Sequence, residues 1–295
     1  MNKILIGLSI AFTYLLMVMG NIVTTTGSGL GCPDWPLCYG TMLPPMHIQT
    51  WIEWTHRLLG GATGLLILGA AIATWRTTKG TVRILTMSAL GLLGLGSLFG
   101  GLIVKLEAPL LEGALHILVI SFHIILATAI FTLMILAFRK LDQDKAKREN
   151  SVYPVMFGLV LLQVILGIFV RYAHAAMACS AEFPLCNGQV IPEFYDFGIT
   201  IHFFHRVVAY IVFFFAGGYM IKALKDKDDA LNATITFGLV VLQAGIGIGV
   251  IHSGMFLPLI VGHGGVGFLL LGWIAYRSAP GILGFNSVAA EGAKA

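Results

Sequence analysis

The sequence predicts an all-α integral membrane protein of eight transmembrane helices, arranged as two parallel-repeat four-helix bundles. Three observations predict it. The 295 residues are 57% apolar and only 11% charged, a balance suited to lipid rather than to a soluble core. Eight apolar runs, roughly 4–24, 51–75, 83–105, 113–138, 153–172, 198–222, 231–252 and 257–277, are each long enough to cross about 30 Å of hydrocarbon. Motifs of the first four runs recur in the last four.

Taken in order, the first run follows Lys3, where a signal peptide would also sit. It lacks a small-x-small cleavage site and leads into a repeat unit that needs it, so it is read as a span. The second run opens at Trp51-Ile-Glu-Trp-Thr-His-Arg57, and the sixth at Ile201-His-Phe-Phe-His-Arg206. Val18-Met-Gly-Asn-Ile-Val23 before Gly31-Cys-Pro-Asp-Trp-Pro-Leu-Cys38 matches Ile165-Leu-Gly-Ile-Phe-Val170 before Ala178-Cys-Ser-Ala-Glu-Phe-Pro-Leu-Cys186. The third and seventh runs carry Gly96 and Gly100, and Gly245 and Gly249; the fourth and eighth carry His116 and His263. Each unit has an even number of spans, so both enter from the same side and are related by an axis along the membrane normal. The halves are 1–145 and 146–295, joined by a basic loop at 139–150.

Lysine and arginine set the orientation. With both termini in the cytoplasm, fourteen of the eighteen fall in cytoplasmic segments, and only Arg57, Lys105, Arg171 and Arg206 remain outside. The orientation is that of a multi-pass protein with both termini cytoplasmic, and a prokaryotic plasma membrane is the expected location. The net charge of +4 is this topological bias, not a nucleic-acid footprint. The pairs Cys32/Cys38 and Cys179/Cys186 lie in outer loops, where an oxidising exterior permits a disulfide in each. A single four-thiolate metal site is the alternative, and needs the two loops to converge.

Ionisable side chains inside spans mark function by default. His56 and His116 fall near the outer ends of helices two and four, at similar depth, and His205 and His263 repeat them in helices six and eight. Two neutral imidazoles facing across a four-helix bundle can ligate haem iron axially. The glycines of helices three and seven leave room either for a porphyrin or for close helix packing. Arg57 and Arg206 stand beside the ligand positions, able to pair with haem propionates or to snorkel to headgroups. His123, two turns after His116, is either a core histidine or a competing ligand. The halves differ at one point: Glu53 precedes His56 by three residues, whereas His202 holds that place before His205. A carboxylate beside one haem site suggests proton chemistry there; an interfacial hydrogen bond to the outer loop is the plain alternative.

These residues carry a family resemblance. Gly20-Asn-Ile-Val-Thr-Thr-Thr-Gly-Ser-Gly-Leu-Gly-Cys-Pro-Asp-Trp-Pro-Leu-Cys-Tyr-Gly40, followed by Glu53-Trp-Thr-His-Arg57, resembles haem A synthase, and the likeness runs from the first span through Arg277. It implies an eight-helix enzyme that oxidises the C8 methyl of haem O to the formyl group of haem A for cytochrome oxidase assembly. It implies substrate haem O on His56 and His116, haem B as cofactor on His205 and His263, Glu53 in catalysis, and a disulfide from Cys32 and Cys38. A haem O synthase, a farnesyltransferase, is the partner that the family implies; a homo-oligomer is compatible with the sequence. Asn21, His123 and His202 depart from the family's pattern. The rival functions are a membrane dihaem cytochrome b that exchanges electrons with quinone, and a haem carrier without chemistry.

Overall fold

The computed structural model describes residues 2–106, 114–142 and 152–285. Within them lie eight long α-helices: α1 Asn2–Thr25, α2 Ile48–Thr77, α3 Thr81–Leu106, α4 Ala114–Lys140, α5 Val152–Tyr172, α6 Phe197–Asp226, α7 Ala230–His252 and α8 Leu257–Leu283. All eight are long and apolar enough to cross a membrane. Hydrocarbon offers no partner to a free N–H or carbonyl, so an apolar run of this length satisfies its backbone within itself as a helix. The shortest, α5, has 21 residues; at about 1.5 Å per residue it still spans about 30 Å. Lys145, Lys147, Arg148 and Lys294, most of the basic join and the expected 145/146 boundary lie outside the described residues.

The helices outrun their apolar stretches. α2 begins at Ile48 and continues through Arg76 to Thr77, and α6 runs from Phe197 past Lys222 and Lys225 to Asp226. Hydropathy ends at the first charges, but the backbone hydrogen-bond ladder does not. At its outer end α6 is capped by Asp196, whose carboxylate accepts from the backbone N–H of Gly198 and Ile199.

α1 packs on α2, α2 on α3, α3 on α4, and α4 back on α1; α5 to α8 close in the same way. The two rings meet through α1, α4, α5 and α8. Inside the first ring Ile6, Ile67, Ala89, Ile130 and Met134 form one apolar cluster. Inside the second, Met156, Val208, Val212, Val240 and Leu271 form another. Met17, Phe131, Ile135 and Ala275 fill the seam. Bulky apolar side chains such as Leu65 and Phe214 stay exposed on the outside, where lipid is their solvent. Polar groups that must cross the interior find partners: Thr74 and Thr86 share a hydrogen bond of 2.7 Å between α2 and α3, and the Trp273 indole donates to Thr236 at 2.9 Å.

The end of the bundle bearing Lys3 and Arg277 is pinned by ion pairs. Lys3 meets Asp142 at 2.9 Å, and Arg277 meets Asp229 at 2.8 Å. Tyr153 and Tyr219 donate to the other oxygen of Asp229 at 2.8 and 2.7 Å. Burial pulls the Asp229 carboxyl up, but hydrogen bonds from Asn232, Tyr219 and Tyr153 and the Arg277 charge outweigh it and hold it below the usual carboxylate range. A depressed carboxyl stabilises the fold above its unfolded value and loses that contribution as pH falls through its folded value. Asp229→Asn should therefore lower the thermal unfolding midpoint at pH 7, and the gap from wild type should close below about pH 4. A gap unchanged at pH 3 would show that the charge of Asp229 is not what stabilises.

Candidate functional site

Both outer loops are built alike. Cys32–Cys38 and Cys179–Cys186 are disulfide-bonded within their own loops. Each loop closes through two successive residues in the left-handed region, Tyr39 and Gly40 in one and Asn187 and Gly188 in the other. In the first, the Asp34 carboxylate accepts from the backbone N–H of Tyr39 and Gly40 at 2.6 and 2.7 Å. The Gly40 bond above all holds the Asp34 carboxyl below its ordinary range, with Tyr39 and the Arg57 charge assisting.

An arginine from the next helix clasps each loop. Arg57 donates through Nη1 to the carbonyls of Asp34 and Leu37, through Nη2 to that of Cys32, and through Nε to Glu53 at 2.9 Å. Arg206 donates through Nη1 to Glu182 and Leu185, at 2.9 and 2.8 Å, and through Nε to His202 at 3.2 Å. Glu53 and His202 are therefore the same device, a partner one turn before the clasping arginine, and both are buried at 5% exposure. Arg57 has four of its five N–H bonds committed in this way. Arg206 keeps a buried Nη2 without a hydrogen bond. The sequence treats the two arginines as equal propionate candidates; the structure leaves more of Arg206 for that task.

Beneath the loops lie the imidazoles. His205 and His263 face each other with ring centroids 6.5 Å apart. An iron bound on both faces by imidazole, with bonds of about 2 Å, needs centroids about 6 Å apart. The Gln163 amide donates to His205 Nε2 at 3.3 Å and the Gln243 amide to His263 Nε2 at 3.4 Å, so both Nε2 atoms carry the lone pair that a metal uses. The amide oxygens of Gln163 and Gln243, Arg206 Nη2, and Nδ1 of His205 and His263 are all buried without a hydrogen bond. So many orphaned polar atoms around one imidazole pair fit a site shaped for a polar, metal-bearing group: the two Nε2 lone pairs suit haem iron, and Arg206 Nη2 suits a propionate.

Glycine makes room for these rings. A Cβ on Gly167 would lie 3.0 Å from Cε1 of His205, and one on Gly247 would lie 2.8 Å from Cε1 of His263. Gly20 faces His56 in the same way at 3.1 Å, and Gly100 faces His123 at 3.3 Å. In each case the imidazole is turned to the backbone carbonyl four residues before the glycine: Gln163, Gln243, Leu16 and Gly96. For His56, His205 and His263 the Nδ1 contact falls short of hydrogen-bond geometry; His123 Nδ1 bonds to Gly96 at 2.9 Å.

The sequence pairs His56 with His116, which lies two residues from the first described residue of α4. His123 also comes close enough to His56 for the two to interact electrostatically. Of the glycines named from sequence, Gly100 cradles an imidazole, while Gly245 faces open space and Gly249 packs on Leu259. Sequence reasoning passed over Gln163, Gly167, Gln243 and Gly247. Their signal was present as Leu-Gln-x-x-x-Gly in both α5 and α7.

The chain matches the COX15-CtaA family, described as cytochrome oxidase assembly protein, over residues 3–275. It is similar to the haem A synthase of Bacillus licheniformis, at 30% identity over 94% of this chain and 95% of that protein. It is also similar to the haem A synthase of Alkalihalophilus pseudofirmus, at 32% identity over 90% and 92%. That of Shouchella clausii is 30% identical over 80% and 82%.

The glycine cradles give a direct check. Gly167→Val should force the His205 ring from its seat and cut low-spin haem absorbance per protein several-fold. Gly158→Val, on the same helix with nothing within 4 Å of its Cβ position, should leave that absorbance unchanged. Full haem content in Gly167→Val would show that the ring does not depend on the glycine.

Proposed function

The chain belongs to the cytochrome oxidase assembly protein family, and from that premise we propose that it is a membrane oxidoreductase of the haem A synthase kind, oxidising the C8 methyl of haem O to the formyl group of haem A. The single observation that carries this reading is the partly buried His205–His263 pair, at iron-bridging distance and ringed by buried, orphaned polar atoms.

The two rings of helices divide the work. His205 and His263 would hold haem B as resident cofactor in the α5–α8 half, and Arg206 Nη2 would be free for one of its carboxylates. Haem B, when bound, supplies one-electron transfer. The α1–α4 half would take haem O on His56 and a histidine of α4, His116 being the match to the family's motif. Arg57 contributes at most its one uncommitted N–H to that haem. The half-to-half relation is that of parallel repeats about an axis along the membrane normal, in a prokaryotic plasma membrane with both termini cytoplasmic. A farnesyltransferase that makes haem O is the source of substrate.

Converting methyl to formyl adds one oxygen atom and removes four electrons; with water as the oxygen source, four protons are released, and the electrons pass to an external acceptor. Fixing the porphyrin between two helices orients its methyl edge, which is where a protein contributes most to such chemistry. Glu53 lies three residues from His56 on one helix face, nearly dry and ion-paired with Arg57 at 2.9 Å. A carboxylate paired with a guanidinium is an acceptor, so Glu53 is suited to receive a proton or to hold a water, not to donate. His202, its counterpart, offers Arg206 a neutral nitrogen and no such charge. The disulfide loop, clasped over the outer end by Arg57, keeps bulk water from this edge.

Glu53→Gln still accepts from Arg57 Nε, and the three loop carbonyls keep their donors, so the clasp should survive. We expect it to retain cofactor haem and to take up haem O, but to form haem A at least about 100-fold more slowly, the usual worth of a positioned acid–base group. Haem extraction and mass analysis from membranes that also make haem O should find haem O or its hydroxylated form. Glu53→Asp should be partly active, and His202→Gln should not accumulate the hydroxylated form. Wild-type haem A formation by Glu53→Gln would remove proton chemistry from Glu53 and favour an electron-carrying dihaem protein.

A further inference from the structure

Helices α2 and α6 are copies in register. Each has 30 residues, and His56 comes eight residues after the start of α2 as His205 comes eight after the start of α6. Just below the histidines the copies part. α2 continues Gly60-Gly61-Ala62-Thr63-Gly64, where α6 has Ala209-Tyr210-Ile211-Val212-Phe213. In α6 this stretch is filled: Val212 is buried in the apolar cluster of the second ring, and the Phe213 ring packs on Phe237 of α7 with centroids 5.2 Å apart. In α2 it is open. A Cβ on Gly61 would meet nothing within 4 Å, and one on Gly60 or Gly64 would only touch Leu16 or Leu93, at 3.9 and 3.7 Å. Alanine would fit at all three, so close helix packing does not explain these glycines.

Thr63 adds a polar group to the open stretch. It is 1% exposed, and its hydroxyl is buried without a hydrogen bond. Thr13, Thr74, Thr132 and Ser278, also buried within helices, each donate to the carbonyl one turn back. An unpaired buried hydroxyl is destabilising, and a bound ligand with a polar atom at that place relieves it.

Resting on the haem reading above, we propose that this stretch of α2 selects the substrate: the Thr63 hydroxyl bonds the hydroxyl of the isoprenoid substituent of haem O, and Gly60, Gly61 and Gly64 leave the space that the substituent fills. Haem O is haem B with one vinyl group replaced by a hydroxylated farnesyl chain. Telling the two apart requires a polar partner for that hydroxyl and room for the chain. Thr63 follows His56 by seven residues, two turns, which puts it on the same face and about 10 Å further from the outer end. The carboxylates of a haem stay at the outer end, toward water and Arg57. The opposite edge of the porphyrin, which carries the chain, then points along α2 toward Thr63. Gly61 is exposed on the outside of the bundle, so the chain passes it into hydrocarbon. In the second ring Val212 offers no hydrogen bond and Phe213 takes up the space, which suits a haem with a plain vinyl group.

The test uses full-length protein in detergent with its cofactor site filled by haem B, and titrates a second haem, either haem O or haem B, followed by absorption. Wild type should bind haem O at least about ten-fold more tightly than haem B. Thr63→Val keeps the shape and removes the hydroxyl. It should weaken haem O about five- to ten-fold, the worth of one hydrogen bond, and leave haem B unchanged, while Thr63→Ser should keep the preference. Gly64→Phe, which copies α6, should remove haem O uptake while haem B still binds. Equal affinity of wild type for the two haems, a Thr63→Val that weakens both alike or neither, or full haem O uptake in Gly64→Phe would each overturn the proposal. Failure of wild type to bind any second haem would instead bring down the haem O reading itself, and this proposal with it.

Discussion

The arrangement depends on one constraint: an imidazole in a lipid-embedded bundle must have its second nitrogen governed by backbone, because no water is there to do it. Glycine solves this. Without a Cβ, a neighbouring helix lets the edge of the ring approach it, turned to the carbonyl one turn earlier. The helix ladder already uses that carbonyl once, and at Gly96 its second lone pair accepts a hydrogen bond from His123. From this follow the pairing of α1 with α2, α5 with α6, α3 with α4 and α7 with α8, which are the adjacencies that the cradles require.

A second layer of order sits above the rings. Each outer loop is a short disulfide-closed circuit, and its carbonyls point inward at one arginine. The arginine is held from behind by the residue one turn earlier, Glu53 or His202. In one half this support is a full negative charge and in the other a neutral ring. A shared scaffold thus carries a difference of charge between its halves at the junction of loop and bundle.

Much of this was legible in the sequence. Eight apolar runs, the positive bias and two cysteine pairs lead directly to eight helices and two loop disulfides, because each rests on composition or short spacing. His56, His116, His205 and His263 were named by the same route, as polar residues near the outer ends of apolar runs. Their depth is less legible, because α2 extends outward to Ile48 beyond its apolar run, and depth is set by helix, not by hydropathy. Which carbonyl orients which ring is a matter between helices, and no spacing within one helix reveals it. Arg57 likewise read as a ligand-binding cation until its loop partners were seen.

Asn21, which looked out of place in the first span, joins the two histidine centres. It follows Gly20, the seat of His56, and its amide donates to the Ile260 carbonyl of α8 at 3.3 Å, beside Gly264, the neighbour of His263. Asn21 thereby ties the helix that seats His56 to the helix that carries His263. With haem in both halves as proposed above, charge passed between them would cross the seam rather than run along the helices. An electron crossing the whole membrane would do work of about 2.3 kcal/mol for every 100 mV of potential; one passed sideways would do almost none, so such traffic would be insulated from the energised state of the membrane.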